Sequence, residues 1–131
     1  MGMDCYMIVK ANGLEINPPK AWPHEWIQRC YTDFAILTGG WECRNIYIDE
    51  DKVLAKDMVR LPGHRHEDED SWGYRLTLAD FKNYDWDTKV DDRREGTSDV
   101  ISARESQVYR LYQHLKSLNT EDIVVEFTIG Y

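Results

Sequence analysis

The last third of the chain, from Ile101 to Tyr131, constrains the fold more than any other stretch. Its first part has apolar residues spaced at 7, 3, 1, 3 and 3 positions, which predicts an amphipathic helix over 101–118 with one buried stripe. The residues of this stripe are Ile101, Val108, Leu111, Tyr112, Leu115 and Leu118. Ser102 and Glu105 have the spacing of a capping box at the start of that helix.

A β-strand is predicted directly after this helix. Residues 123–129 are almost all β-branched or aromatic, and Ile123, Val125, Phe127 and Ile129 alternate onto one face. Because the turn between helix and strand is short, we expect the helix to shield one face of a sheet that contains this strand.

The size and composition of the chain predict a single folded domain over residues 1–131. The chain is long enough to bury a core without disulfides or metals, and its five Trp and eight Tyr argue against disorder. No apolar run approaches the roughly 20 residues that cross a bilayer, and residues 1–6 lack the features of a signal peptide. We therefore expect no membrane association.

The three cysteines, Cys5, Cys30 and Cys43, form an odd set without metal-binding spacing. We interpret them as small apolar side chains in a reducing compartment, which predicts a cytoplasmic protein.

The first 40 residues predict two strands and a helix. The apolar run 4–11 predicts a central strand, and residues 14–16 predict a short one after the Asn12-Gly13 turn. Residues 23–37 predict an amphipathic helix that starts at Pro23 and carries an aromatic stripe, which we assign to the core.

The middle of the chain predicts strands and two charged connectors. Strands are expected over 41–48, 52–55 (as the return of a hairpin) and 71–78, with a short helical turn within 79–87. Residues 62–70 and 89–99 are interpreted as connectors. The whole pattern predicts an α+β domain, with a mainly antiparallel sheet of four to five strands and two helices on one face.

The net charge of −8 is concentrated in the middle of the chain. Residues 49–70 carry −4 and residues 80–99 carry −3. Such a surface repels nucleic acid and anionic membranes, so we expect no direct nucleic-acid binding and instead a basic partner.

The segment from His64 to Asp70 contains the best metal-binding candidates. His64 and His66 alternate, and carboxylates such as Asp68 are common companions of imidazole around a divalent metal. No HExxH motif or second histidine pair completes the set, and no nucleophile, phosphate-loop or calcium-loop motif is present. The sequence therefore assigns no catalytic residue and no cofactor, and a solvated polar loop is the simpler interpretation of this segment.

Carboxylates that adjoin aromatic residues provide the leading hypothesis. Aromatic anchors ringed by carboxylates suit the binding of a basic surface on another protein. The candidate residues are Asp68, Glu69, Asp70, Trp72, Tyr74, Asp85, Trp86 and Asp87. The competing interpretation is that these aromatic residues form the core beneath ordinary loops.

We therefore predict a small acidic protein that acts through protein–protein contact, such as an inhibitor, immunity or phage counter-defence protein covering a basic site. One alternative is a small metal-dependent hydrolase or nucleotide-processing enzyme that uses His64 and His66. A further alternative is an oligomeric structural subunit, with the exposed face of the final strand as its interface.

Overall fold

The structure, a computed structural model, describes residues 4–39, 45–61, 71–94 and 98–130. Within these ranges the chain forms three α-helices and two antiparallel sheets, of five and three strands. This confirms the predicted α+β class. None of the helices in the described ranges combines the length and the apolar character needed to cross a bilayer.

The larger sheet has five strands. They are β1 (Asp4–Ala11), β2 (Leu14–Ile16), β4 (Val59–Leu61), β5 (Ser71–Thr77) and β8 (Ile123–Gly130). The spatial order is β2-β1-β8-β5-β4, with every neighbouring pair antiparallel. The central strand is therefore β8, whereas the sequence predicted a central position for β1.

The predicted buried face of β8 is confirmed for three of its four residues, whereas Ile129 is half-buried. Ile123, Val125 and Phe127 are at most 1% exposed. Their side chains belong to the same core as Val9 of β1 and Leu76 of β5, and Val125 is the cross-strand partner of both of these residues. The helices pack against this face of the sheet because its strands present their apolar residues there.

The smaller sheet corrects the prediction of a charged connector over 89–99. Strands β3 (Ile46–Tyr47), β6 (Lys89–Asp92) and β7 (Asp99–Ser102) pair in the order β3-β6-β7. The sequence of β6 shows no alternation of apolar and polar residues, because Val90 is its one fully buried residue and its neighbours are charged. Residues 95–97, between β6 and β7, lie outside the described residues.

The terminal helix is shorter than predicted. Helix α3 spans Gln107–Lys116, whereas Ile101 belongs to β7. The Ser102–Glu105 capping box does form, but it closes a 3-10 turn over Ala103–Glu105. Ser106 caps α3 itself by accepting from the Tyr109 amide. The predicted stripe is confirmed from Val108 onward, where the apolar side chains are buried.

The predicted helix over 23–37 is wrong in its first half. Helix α1 spans Tyr31–Thr38 only, and the preceding residues form turns and bends. His24 has a φ of 43°, in the left-handed region that a right-handed helix cannot contain. The aromatic residues nevertheless reach the core side as predicted, since Trp26 is 4% exposed and Trp22 packs edge-on against it.

The predicted hairpin over 41–55 is also wrong. Residues 41–44 lie outside the described residues, and Glu50–Lys52 forms a 3-10 turn. The following residues bond to α1 rather than to β3, because the Leu54 and Ala55 amides donate to the carbonyls of Ile36 and Leu37. The carbonyls at the end of α1 have no partner within the helix, and an extended segment satisfies them here.

Helix α2 (Leu78–Asn83) confirms the short helical turn predicted within 79–87. It begins at a capping box formed by Thr77 and Asp80 and buries Leu78 and Phe81.

Candidate functional site

The structure separates the aromatic candidates into one surface residue and two core residues. Trp72 is 56% exposed, and the Arg60 guanidinium lies 5.3 Å from its ring centroid. Tyr74 is buried and stacks on Phe127, with ring centroids 5.2 Å apart. The prediction that Tyr74 is a surface anchor is therefore corrected, because Tyr74 lies on the helix-covered face of β5.

Trp86 is corrected in the same way. It is 6% exposed, its ring stacks on Tyr112, and its indole N–H donates to the Phe81 carbonyl at 2.9 Å. The indole is thus both packed and hydrogen-bonded within the core, as buried Trp residues usually are. The alternation of Asp85, Trp86 and Asp87 places only the two aspartates at the surface.

The carboxylates of Asp85 and Asp87 are exposed, but each has a cation beside it. The Lys52 ammonium lies 3.6 Å from Asp85, and the Arg104 guanidinium donates to Asp87 at 2.9 Å. The two aspartates therefore carry less free negative charge than their sequence suggests.

The same compensation holds for the acidic pair of β6. Asp91 pairs with Arg93 at 2.7 Å, and Asp92 pairs with Arg94 at 2.7 Å. The hydrogen bonds from Arg94 lower the pKa of Asp92. Residues 84–94 consequently form a surface of matched charges rather than an acidic one.

Five predicted residues, His64, His66, Asp68, Glu69 and Asp70, lie outside the described residues. Within the described ranges, no group of three or more His, Cys, Asp or Glu side chains is arranged to hold a metal ion.

A cleft of about 540 Å³ lies where the 51–57 segment faces β5 and α2. Its walls carry four aspartates: Asp51, Asp57, Asp80 and Asp85. We call this feature the acidic cleft. Asp51 and Asp57 are far from Asp85 in the sequence, and the docking of Leu54 and Ala55 on α1 helps to bring them together.

Two of the four aspartates of the acidic cleft have uncompensated charge. Asp80 is engaged in the cap of α2 through the Thr77 amide, and Asp85 has Lys52 beside it. No cation among the described residues lies within ion-pair distance of Asp51 or Asp57. The net charge of −4 over residues 49–70 indicated this site only in part, because −3 of it falls on residues 62–70 and −1 on residues 49–61.

The cations in the cleft wall do not cancel this excess. Lys52 and Lys56 are the two lysines of the lining, and Arg75, the third cation, donates two hydrogen bonds to Glu126. Four aspartates thus face two lysines and an already paired arginine, which leaves the cleft negative.

The segment around Lys52 is anchored to the end of α2 through its main chain. The Tyr84 hydroxyl donates to the Lys52 carbonyl at 2.6 Å. Burial raises the pKa of Tyr84, and the nearby Asp85 charge adds to this, so the hydroxyl remains a donor at neutral pH. The 3-10 turn is therefore fixed against α2, and Asp51 is presented from a supported segment.

Glu126 holds Arg75 in the opposite wall, and its replacement by glutamine is expected to flatten the loss of stability in acid. Glu126 also pairs with Lys10 at 3.1 Å. Burial opposes ionisation of Glu126, but the hydrogen bonds from Arg75 and Lys10 outweigh it, so the pKa lies below the usual value. The stabilisation is present above the unfolded-state pKa and is lost as the pH falls through the folded-state pKa.

The measurement is urea unfolding of wild type and Glu126→Gln between about pH 7 and pH 2. Because both cations are partly exposed, we expect a difference of only about 1 kcal/mol at pH 7, which shrinks in acid. A difference that grows as the pH falls would contradict the assignment.

The comparisons with known proteins show no resemblance. No family model matches the chain, and no curated protein or solved structure is significantly similar to it.

Proposed function

We propose that the protein acts by protein–protein contact and that it binds a basic surface of its partner through the acidic cleft. The observation that carries this proposal is the uncompensated charge of Asp51 and Asp57 inside a cleft that is large enough to receive a side chain. A partner's lysine or arginine would find there the carboxylates that the chain's own cations leave free. The expected class of protein is an inhibitor, immunity or counter-defence protein of the cytoplasm.

The charge distribution supports a protein partner rather than a nucleic acid. The net charge is −8, and a polyanion would be repelled from the cleft. The exposed Trp72, with the segment 68–70 next to it in the chain, remains a second element of this proposed surface.

The test is capture of proteins from a cell extract on immobilised chain at physiological salt. We expect the double variant Asp51→Asn with Asp57→Asn to reduce capture of a basic partner by about tenfold or more, which corresponds to about 1.4 kcal/mol. The matched control is Asp99→Asn with Asp122→Asn, which changes the net charge equally at exposed positions outside the cleft. Capture should also weaken with added salt, as it does for exposed charges.

A third variant neutralises Asp68, Glu69 and Asp70 together and asks whether this segment shares the contact. Equal capture by wild type and the cleft variant would contradict the role of the cleft. Stoichiometric metal in the purified protein, lost in His64→Ala and His66→Ala, would instead favour the metal-dependent enzyme.

A further inference from the structure

Strand β1 has an open side along its first half. It pairs with β8 over its whole length, from Asp4 opposite Gly130 to Ala11 opposite Ile123. On its other side, β2 pairs only with Val9, Lys10 and Ala11. Residues 4–8 of β1 therefore have a strand neighbour on the β8 side only, whereas residues 9–11 have strand neighbours on both sides.

The open side presents main-chain groups of Cys5 and Met7. Hydrogen-bonded pairs alternate along an antiparallel ladder, and the Asn12 amide donates to the Asp122 carbonyl on the β8 side. Odd-numbered residues of β1 therefore direct their amide and carbonyl groups away from β8, toward β2. Among the described residues, no group bonds to Cys5 or Met7 on that side.

A groove of about 350 Å³ follows this edge. Four consecutive residues, Cys5 to Ile8, line it. Successive side chains of a strand point to opposite faces of the sheet, so the side chains of four consecutive residues cannot all line the groove from one face. The groove therefore runs along the main chain at the edge of β1. The facing wall is made of residues 15–18 and 24–27. We call this feature the β1 edge groove.

Both ends of the β1 edge groove are defined. At one end, the pairing of Val9 with Ile16 begins the β2 ladder. At the other end, the Arg29 guanidinium bonds to the Asp4 carboxylate at 2.8 Å. The strand between these ends rises by about 13 Å over four residues, the length of a short added strand.

The lining of the β1 edge groove is apolar with an acidic margin. Its apolar contributions include Met7, Ile16, Trp26 and Ile27. The charged residues of the described lining are Glu15 and Glu25, both exposed; His24 also belongs to the lining, and no lysine or arginine does. A ligand that suits this groove supplies main-chain hydrogen bonds, apolar side chains and positive charge.

We propose that the β1 edge groove binds an extended, basic segment of a partner protein, which adds as a β-strand beside Cys5–Ile8. In this mode the main-chain bonds to Cys5 and Met7 provide affinity, and the groove selects the alternating side chains. A second copy of this chain fits less well, since its β1 would bring Asp4 toward Glu15 and Glu25 and carries no cation before Lys10. The proposal does not depend on the acidic cleft, which lies at the opposite end of the strand order.

The probe is a capped seven-residue peptide of alternating lysine and valine. Two N-methylated forms make the test specific: one blocks the amides of the odd positions, and the other blocks the amides of the even positions. Only one of these two sets can face β1 in a bound strand, so we expect one form to lose affinity by about tenfold or more and the other to bind nearly as the parent does. The readout is peptide affinity together with hydrogen exchange of the Cys5 and Met7 amides.

The protein variant is Glu15→Lys with Glu25→Lys, and its control is Glu50→Lys with Glu121→Lys, which changes the net charge equally outside the groove. We expect about tenfold weaker binding in the groove variant than in the control. No binding at about 1 mM peptide, equal effects of the two N-methylated forms, or unprotected Cys5 and Met7 amides would overturn the proposal. Concentration-dependent protection of these amides without peptide would also overturn it, since a second copy would then be the occupant.

These results separate the groove from the acidic cleft. The variants of Asp51 and Asp57 are expected to bind the peptide as wild type does, so failure of one site leaves the other site standing.

Discussion

Replacing Gly73 with alanine is expected to lower the free energy of unfolding by about 3 kcal/mol. A Cβ on Gly73 would lie 2.5 Å from the Phe127 carbonyl oxygen, 2.7 Å from Leu61 Cδ1 and 2.8 Å from Thr128 Cγ2. The closest of these atoms is main chain of the central strand, so it cannot turn away as a flexible side chain can. Relief requires β5 to move from β8, which disturbs the pairing that positions Tyr74 and Leu76.

Gly130→Ala is the matched control for this prediction. Gly130 also lies in a strand of the same sheet, but a Cβ there meets nothing within 4 Å. Its replacement is expected to change the free energy of unfolding by less than about 0.5 kcal/mol. Urea unfolding of both variants provides the measurement, and equal stabilities would show that β5 and β8 are not packed this closely.

The parts of the fold that the sequence predicts correctly are those with an uninterrupted local period. In β8, the apolar alternation predicts the burial of Ile123, Val125 and Phe127, although Glu126 and Thr128 on the other face are buried as well. In α3, the stripe from Val108 to Leu115 is likewise set by local spacing. No long-range contact is needed to predict either element.

The errors arise where a local pattern has two compatible structures. Ile101 fits the helical stripe, but it lies in a strand that pairs with β6, where its partner is Val90, eleven positions earlier in the chain. Trp22 and Trp26 are spaced as on a helix, yet they reach His114 of α3 from an irregular segment. Tertiary packing thus decides between structures that local spacing allows equally.

The candidate site was only partly predictable for a similar reason. The sequence locates the acidic stretches, but it does not show which carboxylates find a cation. Asp87 and Arg104 are 17 positions apart and meet because β7 leads back past the 85–88 turn. Asp51 has a lysine directly after it in the chain, yet that lysine pairs with Asp85 instead. Which carboxylates remain without a cation is therefore decided by the fold and cannot be inferred from the composition.

Replacing Asp33 with alanine is expected to destabilise the protein by about 3 kcal/mol. Asp33 of α1 is 2% exposed, and its carboxylate accepts from the Val108 amide and from the Gln107 side chain, each at 3.1 Å. It thus serves one of the free amides in the first turn of α3 from another helix. Alanine would leave the Val108 amide buried without an acceptor, and the contact between α1 and α3 would lose its polar connection.

The pH dependence of Asp33 distinguishes this role from simple packing. Burial raises the pKa of Asp33, although the hydrogen bonds from Cys30, Gln107 and Val108 oppose the shift. Since the folded-state pKa lies above the unfolded-state value, the folded protein retains the proton longer, and this residue makes stability fall as the pH rises between the two values. Asp33→Asn removes that titration but keeps one acceptor, so we expect a smaller loss than for alanine.

The stability advantage of wild type over Asp33→Asn should therefore shrink as the pH rises through the raised folded-state pKa of Asp33, opposite in sign to the behaviour expected for Glu126→Gln. Urea unfolding at each pH measures both series on one scale. An advantage that grows with pH would mean that the ionised carboxylate is favoured by its three donors over burial. In that case, Asp33 would act as a charged cap on α3 rather than as a buried acceptor that is costly to ionise.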